Sequence, residues 1–144
     1  RYGRRQRQMC IRDRDKPNPK DKQKIQAIAT EDDRPVLMLN CNRYTLSSDF
    51  SSNDRYKKWR AVNEKMIEFV GGKILWSLPI SGQILFTKTN EPLDEILAYW
   101  YPSHSSFLKL PESLHYTENF RLREDLIDYA IIHRCSEHTL PFDA

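Results

Sequence analysis

The pattern of apolar and polar positions changes period several times along the chain. PVLMLNCNRY, residues 35–44, is short and apolar on both faces, which suits a central strand better than a helix of so few residues. From Asp54 to Val70 the spacing differs: Tyr56, Trp59, Val62, Met66, Phe69 and Val70 recur every three or four positions, while Lys57, Lys58, Glu64, Lys65 and Glu68 lie between them. This predicts a helix with one buried stripe. Ser52 or Asn53 can cap its first amides, and Gly71-Gly72 can adopt the left-handed conformation that ends it. GGKILWSLPI (71–80) reads as a second strand, with Gly82 to Thr87 a short continuation or bulged turn, because Pro79 removes a ladder donor and Gly82 weakens pairing. A polar turn, Lys88 to Pro92, leads into LDEILAYWYP (93–102), a third strand with β-prone aromatics at its end.

Ser103 caps a short helix expected over His104 to Leu110, stopped by Pro111, and a further helix over Ser113 to Leu126 uses Phe120, Leu122 and Leu126. DYAIIHRC (128–135) is a fourth strand and 136–144 a tail. Ahead of the first strand, residues 15–24 carry two prolines and many charges, so 15–34 reads as a loose lead-in with a short helix over Lys22 to Ala29. The order βαββαβ predicts a four-stranded antiparallel sheet with helices on one face. In that arrangement the first and fourth strands are neighbours, and Cys41 and Cys135, each late in its strand, are expected roughly 20 Å apart at about 3.3 Å per residue, beyond disulfide reach. Reduced thiols favour the cytoplasm.

Charge is unevenly distributed only at the N-terminus. Arg4 to Arg14, RRQRQMCIRDR, has the look of a phosphate-gripping arm. Reverse-translated, however, residues 1–14 resemble a transposon-end sequencing adaptor read in frame, and are expected to be a disordered assembly scar on a fragment from a sequenced community. The whole chain is +3, with 23 Lys and Arg against 20 Asp and Glu; without the six arginines and one aspartate of the scar, 17 cations face 19 anions. Such a balance predicts neither nucleic acid nor an acidic membrane as partner. No run of eighteen apolar residues predicts a spanning helix, and two remaining cysteines form neither a disulfide framework nor a zinc ribbon.

Four stretches carry a resemblance: PVLMLNCNRY, the GGKILW after the first long helix, DEILAYWYPSHSSFLKL, and RLREDLIDYAII. In order and spacing they resemble the domain of unknown function 1330 family, over roughly Pro17 to Cys135 and including a pre-strand helix with its glutamine, here Gln23 or Gln26. The resemblance implies an α+β, ferredoxin-like domain over 35–135 that dimerises through its sheets as a dimeric α/β barrel. A sheet with helices on one face agrees, since its bare face would expose large apolar side chains unless a twofold copy covers it. Leu93 stands where the family usually has tryptophan, and Arg121-Leu122 replace a histidine pair, although Arg123 fits the arginine that follows. The family brings no established activity with it.

Candidate chemistry is sparse. Asn40 is a carboxamide inside an apolar strand, on one face with Val36, Met38 and Asn42; it either ties down a loop or orients a ligand. Tyr99 and Tyr101 share a face with Glu95 and Leu97, and with Trp76 they suit a pocket wall or a dimer contact. His133 is the one candidate general base, with Arg123 anchoring an anionic substrate. His133, Cys135, Glu137 and His138 are metal-ligating types without fixed geometry, so no metal is expected, and no cofactor motif occurs. Ser103, Ser105 and Ser106 lack the G-x-S-x-G elbow, and His104 and His115 are read as surface residues. The leading expectation is a homodimer binding a small apolar or aromatic molecule between sheet and helices through Asn40, Tyr101, Arg123 and His133. The alternatives are a cofactor-independent oxygenase or isomerase, and a structural dimer with a filled barrel.

Overall fold

The computed structural model of the chain describes residues 16–46, 49–85 and 92–135. The adaptor-like segment, the turn at 88–91, the residues after Leu85 in the supposed continuation of the second strand, and the tail lie outside them.

Helix α1, Pro19–Glu31, is longer than its apolar spacing suggested and begins inside the supposed lead-in, because Asn18-Pro19 starts it: Asn18 Oδ1 accepts from the Asp21 amide at 3.3 Å, and proline suits the first turn. Strand β1, Val36–Tyr44, follows. Helix α2, Asp54–Phe69, is capped by Asn53, whose side chain accepts from the Arg55 amide at 2.8 Å, and Gly71 beyond it takes φ 82°. Its buried face is Tyr56, Trp59, Asn63, Met66 and Ile67. This corrects the hydrophobic stripe: Phe69 is 54% exposed and Val62 only half-buried, because the 3.6-residue period turns Asn63 and Ile67 inward instead.

Strands β2, Lys73–Pro79, and β3, Glu95–Tyr101, are followed by the short α3, His104–Leu108, whose Ser103 cap accepts from the Ser106 amide. A 3-10 turn at Leu110–Glu112 carries the chain to α4, Tyr116–Leu126, which starts three residues later than expected, and β4, Ile127–Cys135, begins directly at its end. The sheet order is β2-β3-β1-β4, all neighbours antiparallel, the order of a ferredoxin-like α+β fold.

Register assigns every side chain to a face. Val36↔Tyr101, Met38↔Tyr99, Asn40↔Leu97 and Asn42↔Glu95 lie beneath the helices, where Val36, Met38, Leu97, Tyr99 and Tyr101 join Trp59, Ile67 and Leu126 in the core. Leu37↔Trp100, Leu39↔Ala98 and Cys41↔Ile96 lie on the other face. A bulge between Ile74 and Trp76 turns Trp76, opposite Ala98, onto that second face as well. No helix covers it.

Two expectations are corrected here. His104 is wholly buried, not a surface residue: its Nδ1 lies 2.6 Å from the Arg34 carbonyl oxygen, tying α3 to the start of β1, and Asp33 accepts from the Ser105 amide and hydroxyl beside it. Cys41 and Cys135 are both free, but Cys135 pairs with Leu37, so the two are separated by four residues along the strands, about 13 Å, instead of 20 Å.

Candidate functional site

Two polar clusters are built into the layer between sheet and helices. The first surrounds Glu95, which opens β3 and is 2% exposed. Its Oε1 accepts from the Tyr44 hydroxyl at 2.5 Å and its Oε2 from the Tyr56 hydroxyl at 2.6 Å. The Arg60 guanidinium stands 3.6 Å from Oε2 and donates to the Tyr56 hydroxyl and to Ser77 Oγ. Asn42 Nδ2 donates to the Tyr44 hydroxyl at 3.3 Å. The two phenols reach the carboxylate from the end of β1 and the first turn of α2, so this cluster ties three elements together. Burial, then the adjacent Glu95, pushes the Tyr44 phenol well above its ordinary range, and the same causes raise Tyr56. Both therefore remain neutral donors.

The second cluster is a relay of amides. Asn119 Nδ2 on α4 donates to Asn63 Oδ1 on α2 at 2.9 Å, and Asn63 Nδ2 donates to the Tyr99 hydroxyl at 2.7 Å. All three residues are buried. Burial pushes the Tyr99 phenol up to about 12, against the Asn63 hydrogen bond and then the positive charges of Arg123 and Arg60, which hold it down. Among the described residues six side-chain atoms are buried without a partner: Asn40 Oδ1 and Asn42 Oδ1 from β1, Trp59 Nε1 and Arg60 Nε from α2, His104 Nε2 from α3, and Trp100 Nε1 on the other face of the sheet.

No family model and no curated protein matches the chain. Among solved structures, the crystal structure of RPA0582, a protein of unknown function from Rhodopseudomonas palustris, is similar over 88% of this chain and 97% of its own, with a TM-score of 0.63 and 19% identity. A methylated form of RPA0582 gives a TM-score of 0.64 at 19% identity, over 89% and 96% of the two chains. At this identity the likeness is one of fold.

The residues singled out from sequence divide between two faces. Asn40, Tyr99, Tyr101 and Arg123 belong to the helix-covered side; Tyr101 is buried edge-on against Phe107, and the Arg123 guanidinium lies 5.9 Å from the Phe120 ring centre. Trp76 and His133 do not join them. His133 pairs with Leu39 on the bare face and is exposed, so within a subunit it stands across the sheet from Arg123 and cannot share a ligand with it. Glu137 and His138 lie outside the described residues, among which no group of three metal-ligating side chains occurs. No helix among those residues is long and apolar enough to cross a membrane. Glu95, Asn63 and Asn119 were missed. Alternation from Tyr99 and Tyr101 does place Glu95 on the core face, but its two phenol partners are distant in sequence and come together only through the sheet register and the docking of α2.

Proposed function

We propose that this chain is a small-molecule-binding protein acting as a homodimer, its sheets closing face to face in a dimeric α/β barrel and each subunit holding a ligand between sheet and helices. The observation that carries the ligand reading is the concentration of orphaned polar atoms on one side of the sheet, two acceptors from β1 and two donors from α2. A layer selected for packing alone would pair or omit such groups, since leaving one buried and unsatisfied costs about 1–3 kcal/mol. Acceptors on a strand and donors on the helix above it suit a molecule that is largely apolar but carries a few hydrogen-bonding groups.

The homodimer reading rests on the bare face. Leu37, Leu39, Trp76, Ile96 and Trp100 form an apolar surface beneath which the Trp100 indole N–H is buried without a partner. An identical surface turned through a twofold axis matches it in size and polarity. The resemblance to the domain of unknown function 1330 family supports the same assembly.

Thermal-shift screening of the full chain against aromatic and hydroxylated metabolites tests the ligand reading. A ligand at a hundred times its dissociation constant adds about 2.7 kcal/mol of stability, and Asn40→Leu is expected to remove that gain while leaving the unliganded protein folded. If nothing in the library raises the melting temperature, or if the shift survives Asn40→Leu and Asn42→Leu, the ligand reading falls.

A further inference from the structure

We infer that the molecule taken up between sheet and helices is a small carboxylate or comparable monoanion, seated on the Arg123 guanidinium and the Tyr99 hydroxyl. The inference rests on the ligand reading above and adds the ligand's charge.

The topology brings the groups together. β1 and β3 are antiparallel, α2 runs back from the end of β1, and α4 runs back from β3, so α2 and α4 are antiparallel to each other. They meet where Asn119 donates to Asn63. Arg60 is three residues before Asn63 and Arg123 four residues after Asn119, so each lies one turn from the crossing, toward the same end of the layer, where β3 begins with Glu95. Tyr99 lies on the strand beneath the crossing and is held there by Asn63.

Charge and hydrogen-bond accounting then defines the occupant. Arg60 faces Glu95 at 3.6 Å, so these two largely neutralise one another. Arg123 forms no ion pair with a described carboxylate and rests near the Phe120 ring, leaving one positive charge at the site. Burial raises the Tyr99 phenol; the Asn63 hydrogen bond and then the Arg123 charge, ahead of that of Arg60, hold it down. Because the Tyr99 oxygen already accepts from Asn63, its own proton points elsewhere, and no acceptor among the described residues receives it. A neutral O–H donor beside an uncompensated guanidinium is the complement of a carboxylate, one oxygen for each. A single net charge matches a monoanion better than a phosphate dianion, and Asn40 Oδ1 supplies an acceptor for a hydroxyl on the same molecule.

Calorimetric titration of the full chain with sodium benzoate and with benzamide, at matched ionic strength, tests this. Benzoate is expected to bind at least about tenfold more tightly than the neutral amide, the difference made by one charge-assisted hydrogen bond. Arg123→Leu should erase the preference, and Tyr99→Phe should weaken benzoate without weakening benzamide to the same degree. Circular dichroism identifies a variant that fails to fold; if Arg123→Leu does, Arg123→Gln, which keeps hydrogen-bonding capacity without charge, takes its place. Equal affinity for the two probes, or an undiminished preference in the Arg123 variant, overturns the anionic ligand. Should a neutral metabolite stabilise the protein in an Asn40-dependent way while benzoate does not bind, the charge inference fails and the ligand reading stands. Should no compound of either charge bind, both fail.

Discussion

A carboxylate that receives hydrogen bonds from two phenols and faces an arginine, as Glu95 does, is costly to disturb because each neighbour is itself buried. Glu95→Leu would strand two phenol donors and a half-buried guanidinium, and by analogy with broken buried charge pairs the loss should be about 3–5 kcal/mol in urea unfolding. A loss below 1 kcal/mol would show that the cluster contributes little to stability. The phenols make a second prediction. Four of the seven tyrosines, Tyr44, Tyr56, Tyr99 and Tyr101, are held above the ordinary value of 10 by burial first of all. A raised native value means that the stability they confer is intact below pH 10 and is lost as pH rises past it, the Tyr99 share fading by about 12. Tyrosinate absorbance from these four should therefore appear together with the loss of circular dichroism in an alkaline titration; four phenols ionising ahead of unfolding would contradict their burial. Alternation along D-E-I-L put Glu95 on the face of Tyr99 and Tyr101, but its phenol partners, Tyr44 and Tyr56, lie far away in sequence and were not legible there.

At the scale of elements, the sequence was most informative where a local cap and a clean period agreed. Helix α2 has both, and its ends fall where Asn53 and Gly71 put them. Its inward face was misjudged because hydrophobicity chose Val62 over Asn63, and a buried amide is recognisable only once its partners on α4 and β3 are in place. Helix α1 was underestimated for a different reason: a charged surface and one buried residue, Ile25, hide a segment held largely by its cap and by Arg134, which reaches both oxygens of Asp21 at 3.0 and 2.7 Å. The Arg134 hydrogen bond chiefly, against some desolvation, holds Asp21 below the usual carboxylate value. A depressed native value contributes stability that is present above the unfolded value, about 3.9, and is lost as pH falls through the native one. Thermal melts of wild type and Asp21→Asn from pH 6 to pH 3 should accordingly converge as pH drops, and a constant gap would show that the ion pair is not what fastens α1 to β4.

For the molecule as a whole, the four-stranded antiparallel sheet, its helices on one face and the pairing of the first and fourth strands followed from the succession of periods, since alternating strand and helix patterns leave few antiparallel topologies open, while the ferredoxin-like fold was what the family resemblance implied. The placement of His133 did not follow, because its face depends on the register between β4 and β1. The proposed pairing of subunits predicts a dimer at micromolar concentration in sedimentation velocity, shifted to monomer by Leu39→Asp or Trp100→Asp; a stable, well-folded single subunit in the unmodified protein would remove the pairing. Ala98 sharpens that expectation. It lies on the bare face between its register partners Leu39 and Trp76, with no helix of the described residues above it, and yet has no exposed surface. A surface already closed over its smallest residue forfeits little rotational freedom when two copies meet, so association should resemble the meeting of rigid plates, with a negative heat-capacity change set by the apolar area the two faces bury.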